Sequence, residues 1–376
     1  MNANTILESV LDRGDISAIE ALVLIQEPDY MLPALIEAAN TLNKRTNNNI
    51  VTYVKSKYIH YTNICRASCK FCSFYRKKGQ RNTFTLSERS IIKTIKAANG
   101  IKEICLQGGL NPELSLNDHI SLIRTIKEEF PNLHIQAYSP SEIYFIARQS
   151  KTTSFDALNK LKDAGLNSIS GTATNILNDR IRKKFSPDIL RTNDWIELIK
   201  TAHRLGITTT ASMLFGHGGS EIHLCEHMDI IKTIQAETGG FTTFTPTPFI
   251  PNGTSIARNG SAKNSPSHNT IIKMFAIARL FYNKSIKNIQ VDVTKLGMQN
   301  TIRGLTAGAN DIAPIAFDQY TIKSQHLSKE LPLSIHTIKN AIIRANKIPM
   351  ERPPHSKVAA QLNARKTDEY SYASAI

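Results

Sequence analysis

From residue 51 onward the chain alternates between two textures. Short runs of β-branched and aromatic residues give way to amphipathic helical segments, repeatedly. The strand candidates are 58–63, 103–107, 134–139, 168–171, 208–213, 241–245, 289–293 and 308–311. Helical spacing lies between them, near 87–98, 117–129, 154–164, 190–204, 223–236, 269–283 and 297–306. Strand followed by helix, repeated, demands a parallel sheet, since parallel neighbours need a crossover connection. Eight candidates fit a closed (βα)8 barrel of TIM type, for which roughly 250 residues is usual. The eighth has the weakest pattern. A doubly wound open sheet is the alternative, but no G-x-G-x-x-G follows the first strand.

Residues 1–50 read as an N-terminal helical segment, broken at Gly14-Asp15 and Pro28-Asp29. The barrel is expected over 51–320. A C-terminal helical extension is expected over 321–376, with helices in 325–348 and a polar, loose stretch from 351. The first residues lack a basic segment followed by an apolar one, so no secretory leader is expected. No apolar stretch is long enough to span a bilayer.

The motif that carries chemistry is "NICRASCKFCSFYRKKG". It places Cys65, Cys69 and Cys72 within eight residues, three of the five cysteines in the chain. An odd, clustered count argues against a disulfide framework and fits a reducing, cytoplasmic setting. The motif follows the first strand, hence at the C-terminal mouth of a barrel, where active sites sit. A structural zinc site wants four ligands. Cys105 and Cys225 are distant, and His60 lies inside the predicted strand. A redox Cys69/Cys72 pair lacks a thioredoxin-type context. A 4Fe-4S cluster held by three thiolates leaves one iron open. An open iron can bind the amino and carboxylate groups of S-adenosyl-L-methionine and pass it an electron, giving a 5′-deoxyadenosyl radical. Cys105, between apolar neighbours in "EICLQ", reads as a buried small hydrophobe.

The other strand ends offer further candidates. Strand two ends in Gln107-Gly108-Gly109, strand three at Tyr138-Ser139-Pro140, strand four at Gly171-Thr172. The glycines permit close backbone approach or form a plain turn. His217, in "MLFGHGGSE", is expected to be exposed. It could orient substrate or transfer protons, or be an ordinary loop residue. Asp292 ends strand seven, and Asn310-Asp311 fall on strand eight. Asp311 is open between a site role and a structural ion pair, for example with an arginine.

The Cys-x3-Cys-x2-Cys spacing, with Phe71 just before the last cysteine, resembles the radical S-adenosylmethionine superfamily. "EICLQGGLNPELSLNDHISLIRTIKEEFPNLHIQAYSPSEI", "GITTTASMLFGHG", "TIQAETGGFTTFTPTPFIP" and "GLTAGANDI" resemble its deazaflavin and menaquinone biosynthesis branch. The resemblance implies a radical S-adenosylmethionine barrel with Cys65, Cys69 and Cys72 as cluster ligands. Phe71, Gln107, Gly108, Gly109, Ser139 and Thr172 would lie about the cofactor. His217, Asp292, Asn310 and Asp311 would be catalytic or substrate-binding. The implied reaction breaks the Cα–Cβ bond of L-tyrosine and joins its 4-hydroxybenzyl group to 5-amino-6-(D-ribitylamino)uracil, a transfer that builds the deazaflavin precursor of coenzyme factor 420. Implied partners are a companion deazaflavin synthase subunit 1 and an acidic low-potential donor, ferredoxin or flavodoxin. The rival activities are aminofutalosine synthase, dehypoxanthine futalosine cyclase, or a divergent paralogue acting on another substrate.

The chain departs from that branch at several predicted strand ends. Gln136-Ala137 replaces His-Ala, Thr174-Asn175 replaces Ala-Glu, and His217-Gly218-Gly219 replaces His-x-Glu. Asp292-Val293-Thr294-Lys295 replaces Ser-Trp-Val-Lys, and "IAPIAFDQ" follows Asp311 where a Gly-rich run is usual. Net charge is +15. The basic residues are scattered with no aromatic-rich stripe, which argues against nucleic acid. They form a solvated surface or a docking face for an acidic partner, with "FYRKKGQR" beside the cysteines as the candidate patch.

Overall fold

The computed structural model describes residues 2–173, 175–260, 264–313, 316–317 and 334–354. Three helices come first: α1 (Ala3–Arg13), α2 (Ala18–Gln26) and α3 (Leu32–Asn47). Gly14, at φ 83°, ends α1 in a left-handed turn. Ser17 and Glu20 start α2 with a reciprocal capping box. α2 and α3 pack against α12 (His268–Tyr282), and α1 packs on α2 and α3. Every residue from Ile271 to Tyr282 is buried. A helix buried all round needs cover on both sides. The barrel supplies one side and the N-terminal helices the other.

The sheet has eleven parallel strands among the described residues. β2 (Ser56–His60), β3 (Glu103–Gln107), β4 (His134–Ala137), β5 (Ser168–Ile169), β6 (Thr208–Phe215), β7 (Phe241–Pro248), β8 (Asn288–Val291) and β9 (Asp311–Ile312) follow one another across it. β10 (Ala316–Phe317) pairs with β2 at the opposite end of the order. Only residues 313–315 separate β9 from β10, a reach of about 14 Å at full extension. The two ends of the ladder are therefore neighbours, and the sheet curls into a (βα)8 barrel whose eighth strand is split in two. β1 (Ile50–Tyr53) pairs with β9 and carries β11 (Ile348–Glu351) outside it.

Several expectations shift. The first strand starts at Ser56, and β1 precedes it. Two helices, α6 (Pro140–Gln149) and α7 (Ser154–Asp163), separate β4 from β5. The start of α6 is legible afterwards as Ser139-Pro140 with Glu142 three residues beyond the cap. The helix expected at 297–306 is preceded by a short helical turn from Val293, capped by Asp292, and Gly297, at φ 69°, makes a kink between the two. The C-terminal helix runs Ile335–Arg344. The remainder of the stretch expected at 325–348 lies partly outside the described residues, as does the tail from 355. Residues 351–352 are not loose. Glu351 is in β11, and Arg352 is buried. Pro349 sits in β11, an edge strand, where its missing N–H is tolerated. No helix among the described residues is long and apolar enough to cross a membrane.

Arg352 closes the N-terminal end of the barrel. Its Nε donates to Asp311 Oδ1 at 2.8 Å, and Nη1 lies 3.9 Å from Glu103 Oε2. Asp311 also accepts from Thr52 Oγ1 and Gln290 Nε2, both at 2.6 Å. Asp311 is fully buried, so its charge depends on these partners. Replacing Arg352 with Ala should strand it. We expect a stability loss on the order of 3–5 kcal/mol, read as a lower urea midpoint. An unchanged midpoint would show that the pair does not hold the seam.

Candidate active site

The cysteine loop leaves β2 and returns to the barrel mouth. Its course is fixed by backbone bonds to three neighbours. Arg66 N–H donates to Leu110 O at 3.0 Å, Lys70 N–H to Phe185 O at 2.8 Å, and Ile256 N–H to Lys70 O at 3.0 Å. Within the loop, Cys65 N–H donates to Arg76 O and Cys72 N–H to Cys69 O. The cations of "FYRKKGQR" are largely committed to this fold. The Arg76 guanidinium donates to the carbonyls of Ser73, Phe74 and Tyr75, and Lys77 Nζ to those of Arg66 and Ala67. Lys78 pairs with Glu113 at 2.5 Å.

Gly109 sets how close the loop can come. A Cβ there would stand 2.2 Å from Ile64 O and 2.7 Å from Cys65 Cβ. With no side chain, the end of β3 presses directly on the loop. The Leu110 N–H then reaches Cys65 Sγ at 3.2 Å. Gly108 donates its N–H to Glu142 Oε1 at 2.9 Å, and a Cβ there would meet the Tyr61 ring at 2.8 Å. Neither glycine lines the cavity below; both act on the loop. Ser139 likewise caps α6. It donates to Glu142 Oε2 and accepts from the Glu142 N–H.

All three thiols sit among apolar groups. Cys69 packs with Ala67 and Leu110, against Phe71, Phe145 and Ile189. Burial pushes the Cys65 thiol up to about 11 and the Cys69 thiol up to about 12. Burial also raises Cys72, against the opposing pull of the Tyr75 and Phe74 amides, Arg76 and Lys295. Alone, the thiols stay protonated. They need a cationic ligand to become thiolates, as metal–sulfur bonding does. No three His, Cys, Asp or Glu side chains among the described residues converge as one ion would require. A multi-iron cluster spreads its thiolates around a larger body, and this donor set of three soft thiols on one loop fits it.

Below the loop the barrel is hollow. A cavity of about 350 Å³ is roofed by Phe71, Cys72, Ser73 and Phe74 and runs down between the strands. Its walls are inward-facing polar side chains, among them Tyr58, Gln107, Gln136, Thr210, Ser212, Thr245 and Gln290. Barrels with packed interiors fill this space with Val, Ile and Leu. Here most aliphatic strand residues point the other way, as Ile104, Leu106, Ala211 and Met213 do, into the layer under the helices, while Leu214 lines the cavity.

Of the anticipated site residues, Phe71, Cys72, Gln107, Thr172 and Asp292 line this cavity. Gln107 accepts from Tyr58 Oη, and its Nε2 donates to Ser170 Oγ at 3.3 Å. Asn310 lies elsewhere. It accepts from Arg279 Nη2 and the Ile289 N–H, joining β8 to α12. Asp311 resolves toward structure through Arg352. His217 is buried, not exposed, at 1%. It sits among Phe71, Phe185 and Phe249, with Nε2 2.6 Å from Asn175 Oδ1. The flanking glycines misled the expectation. Gly218 packs on Phe185, drawing the loop inward. Gln136 and Lys295, noted in the sequence only as departures from the branch pattern, line the cavity, as do Thr210, Ser212, Thr245 and Gln290, which sequence reading passed over. A signal existed for the strand residues. Strands buried on both faces should read as continuous apolar runs. "TTTASMLF" instead alternates over Thr210–Met213, which puts Thr210 and Ser212 on the inner face.

The radical SAM superfamily model matches residues 59–231, and the CofH/MqnC C-terminal region matches 238–360. The chain is 37% identical to a Methanothermobacter thermautotrophicus protein named 5-amino-6-(D-ribitylamino)uracil–L-tyrosine 4-hydroxyphenyl transferase. That match covers 94% of this chain and 97% of the relative. A Methanocaldococcus jannaschii protein of the same name is 36% identical over 92% and 97%. Among solved structures, methylornithine synthase superposes with a TM-score of 0.73 at 18% identity, covering 94% of this chain and 99% of that one. The hydrogenase maturase HydG from Carboxydothermus hydrogenoformans also gives 0.73 at 18%, covering 92% and 79%. At such identities these two show the fold alone.

Two outcomes follow from this packing. Gly109→Ala should force the loop off β3, costing about 1–3 kcal/mol and speeding the reaction of Cys65 with a thiol reagent. An unchanged melting temperature and labelling rate would contradict it. The second concerns pH. Burial holds His119, His203 and His217 down to about 4, and His134 and His227 down to about 3, from an ordinary 6.5. Their contribution is complete above pH 6.5 and is lost as pH falls through about 4 and 3. Glu142, raised by burial from 4.5 to about 7, works oppositely, its contribution being lost as pH rises through 7. Five histidines outweigh one carboxyl, so the melting temperature should fall between about pH 7 and pH 5. A rise would contradict the assignment.

Proposed function

The chain belongs to the radical S-adenosylmethionine superfamily, and on that premise we propose that it transfers the 4-hydroxybenzyl group of L-tyrosine to 5-amino-6-(D-ribitylamino)uracil. The observation that carries this reading is the thiol loop standing over a cavity inside the barrel that mixes hydrogen-bonding and apolar side chains. The names of full-length relatives above 35% identity supply the substrates. Cys65, Cys69 and Cys72 would hold a 4Fe-4S cluster with one iron left open. Bound together, cluster and S-adenosyl-L-methionine supply the electron and the adenosyl radical that begin the reaction.

The chain's own residues then have defined tasks. Gly108 and Gly109, with Glu142 and Ser139 behind them, hold the loop against β3. Phe71, braced edge-to-face on His217 at 5.6 Å, covers the side of the cluster site. Gln107 and Thr172 face the upper cavity, where the cofactor would lie. Asp292 and Lys295 present a carboxylate and an ammonium at the same rim, suited to a zwitterionic amino acid. The barrel wall keeps water from a radical, which would otherwise be quenched by side reactions.

The electron donor would be an acidic ferredoxin or flavodoxin drawn by the net positive charge. Arg76, Lys77 and Lys78 are engaged within the loop, so general attraction supports this docking better than a dedicated patch does. The product would pass to a companion deazaflavin synthase subunit. A reducing, cytoplasmic compartment suits the five free cysteines.

The test is anaerobic reconstitution with iron and sulfide, then turnover with a chemical reductant. The enzyme should couple tyrosine to the aminouracil and leave futalosine-type substrates untouched. Conversion of the latter alone would overturn the substrate assignment. Cys69→Ala should abolish both the cluster's visible absorbance and S-adenosyl-L-methionine cleavage. Cys105→Ala should retain the absorbance, because Cys105 lies in β3 beside Tyr58, away from the loop.

A further inference from the structure

The cavity sorts its lining by charge. Fixed charge faces it at the mouth, where Asp292 and Lys295 stand near Cys72. At the opposite end Glu103 also faces it, 3.9 Å from an Arg352 that is shared with Asp311, so the lining there holds a carboxylate and no ammonium or guanidinium. Between them the lining is mainly neutral hydrogen-bonding groups.

Two of these are incomplete. Ser56 and Gln136 are 3% and 7% exposed and line the cavity. Ser56 Oγ and Gln136 Nε2 have no hydrogen-bond partner among the described residues. Buried polar atoms left bare are costly, and such atoms facing a cavity mark where a ligand's polar groups belong. Their depth is set by register. Ser56 pairs with Glu103 at the start of β2, and Gln136 pairs with Cys105 one layer higher. Both lie on the lower half of the barrel, away from the cysteine loop. Across from them, Gln290 is oriented by Asp311 Oδ2 at 2.6 Å and accepts from Thr245 Oγ1 at 3.3 Å.

An amino acid zwitterion would find no cation for its carboxylate on this lower ring, where that carboxylate would meet Glu103. A neutral chain of hydroxyls does match it, because hydroxyls and amides each donate and accept. We infer that the barrel floor is a polyol subsite, in which Gln136 and Ser56 hydrogen-bond the ribityl chain of the acceptor while its ring faces the mouth. Gln136 and Ser56 thereby become specificity-determining residues. The inference rests on the transferase reading above and adds to it which end of the acceptor enters first.

The experiment compares 5-amino-6-(D-ribitylamino)uracil with its 6-methylamino analogue, using the reconstituted holoenzyme as wild type, Gln136→Leu and Ser56→Ala. Wild type should prefer the ribityl acceptor by roughly a hundredfold in kcat/KM. Gln136→Leu should shrink that preference roughly tenfold through a higher KM for the ribityl acceptor, with the KM for tyrosine moving less than about twofold. Ser56→Ala, which removes one oxygen and leaves the packing intact, should shrink it about threefold. An unchanged preference in both variants overturns the subsite. So does a rise confined to the tyrosine KM, which would put the amino acid on the floor. If wild type converts neither acceptor while cleaving S-adenosyl-L-methionine, the transferase reading itself fails, and the subsite with it.

Discussion

The close contact of Gly109 with the backbone of Ile64 and Cys65 is the constraint on which the rest of the site depends. It brings the end of β3 against the cysteine loop, so that one amide reaches a cysteine sulfur. Arg76 and Lys77 tie the loop's own carbonyls from the other side. The three thiols are thus held in place, by backbone and by fixed cations, in an apolar setting where they cannot ionise unaided. Such a loop is poised for a positively charged cluster and poorly suited to an empty existence.

A barrel with this roof cannot also use its interior as a core. The inward faces of the strands carry Ser, Thr, Gln and Tyr, which leaves a polar hollow. Cohesion must come from outside. The outward faces, Ile59, Ile104, Ile135 and Val291 among them, pack under the helices. The buried α12 is enclosed by the N-terminal helices. The weak point of the ring is its split last strand. There the buried Asp311–Arg352 pair binds β9 to the residue that follows β11. The chain beyond the barrel is therefore part of how the barrel closes.

Much of this was legible in the residues. Strand–helix alternation gives the barrel, and β3 lies where the pattern places it. The three cysteines and the absent fourth give the chemistry. Misreadings arose where local sequence carries little information about contacts between distant segments. Gly-rich flanks around His217 suggest a surface loop, yet Phe71, Phe185 and Phe249 enclose it. Asp311 could not be resolved without knowing that Arg352, about forty residues on, returns to it. Ser139 resembled a ligand contact and serves as a helix cap, a role that its spacing to Glu142 already implied. The departures from the branch pattern also gain meaning. Gln136 and Asn175, two of the positions that depart from the branch pattern, both line the cavity.

The central claim is that the missing fourth cysteine leaves one iron open for S-adenosyl-L-methionine. Electron–nuclear double resonance of the reduced, reconstituted enzyme tests it most directly. With the cofactor isotope-labelled at its amino nitrogen and carboxylate oxygen, the account predicts strong hyperfine coupling from both. A fully reconstituted cluster showing no coupling from either label would contradict it.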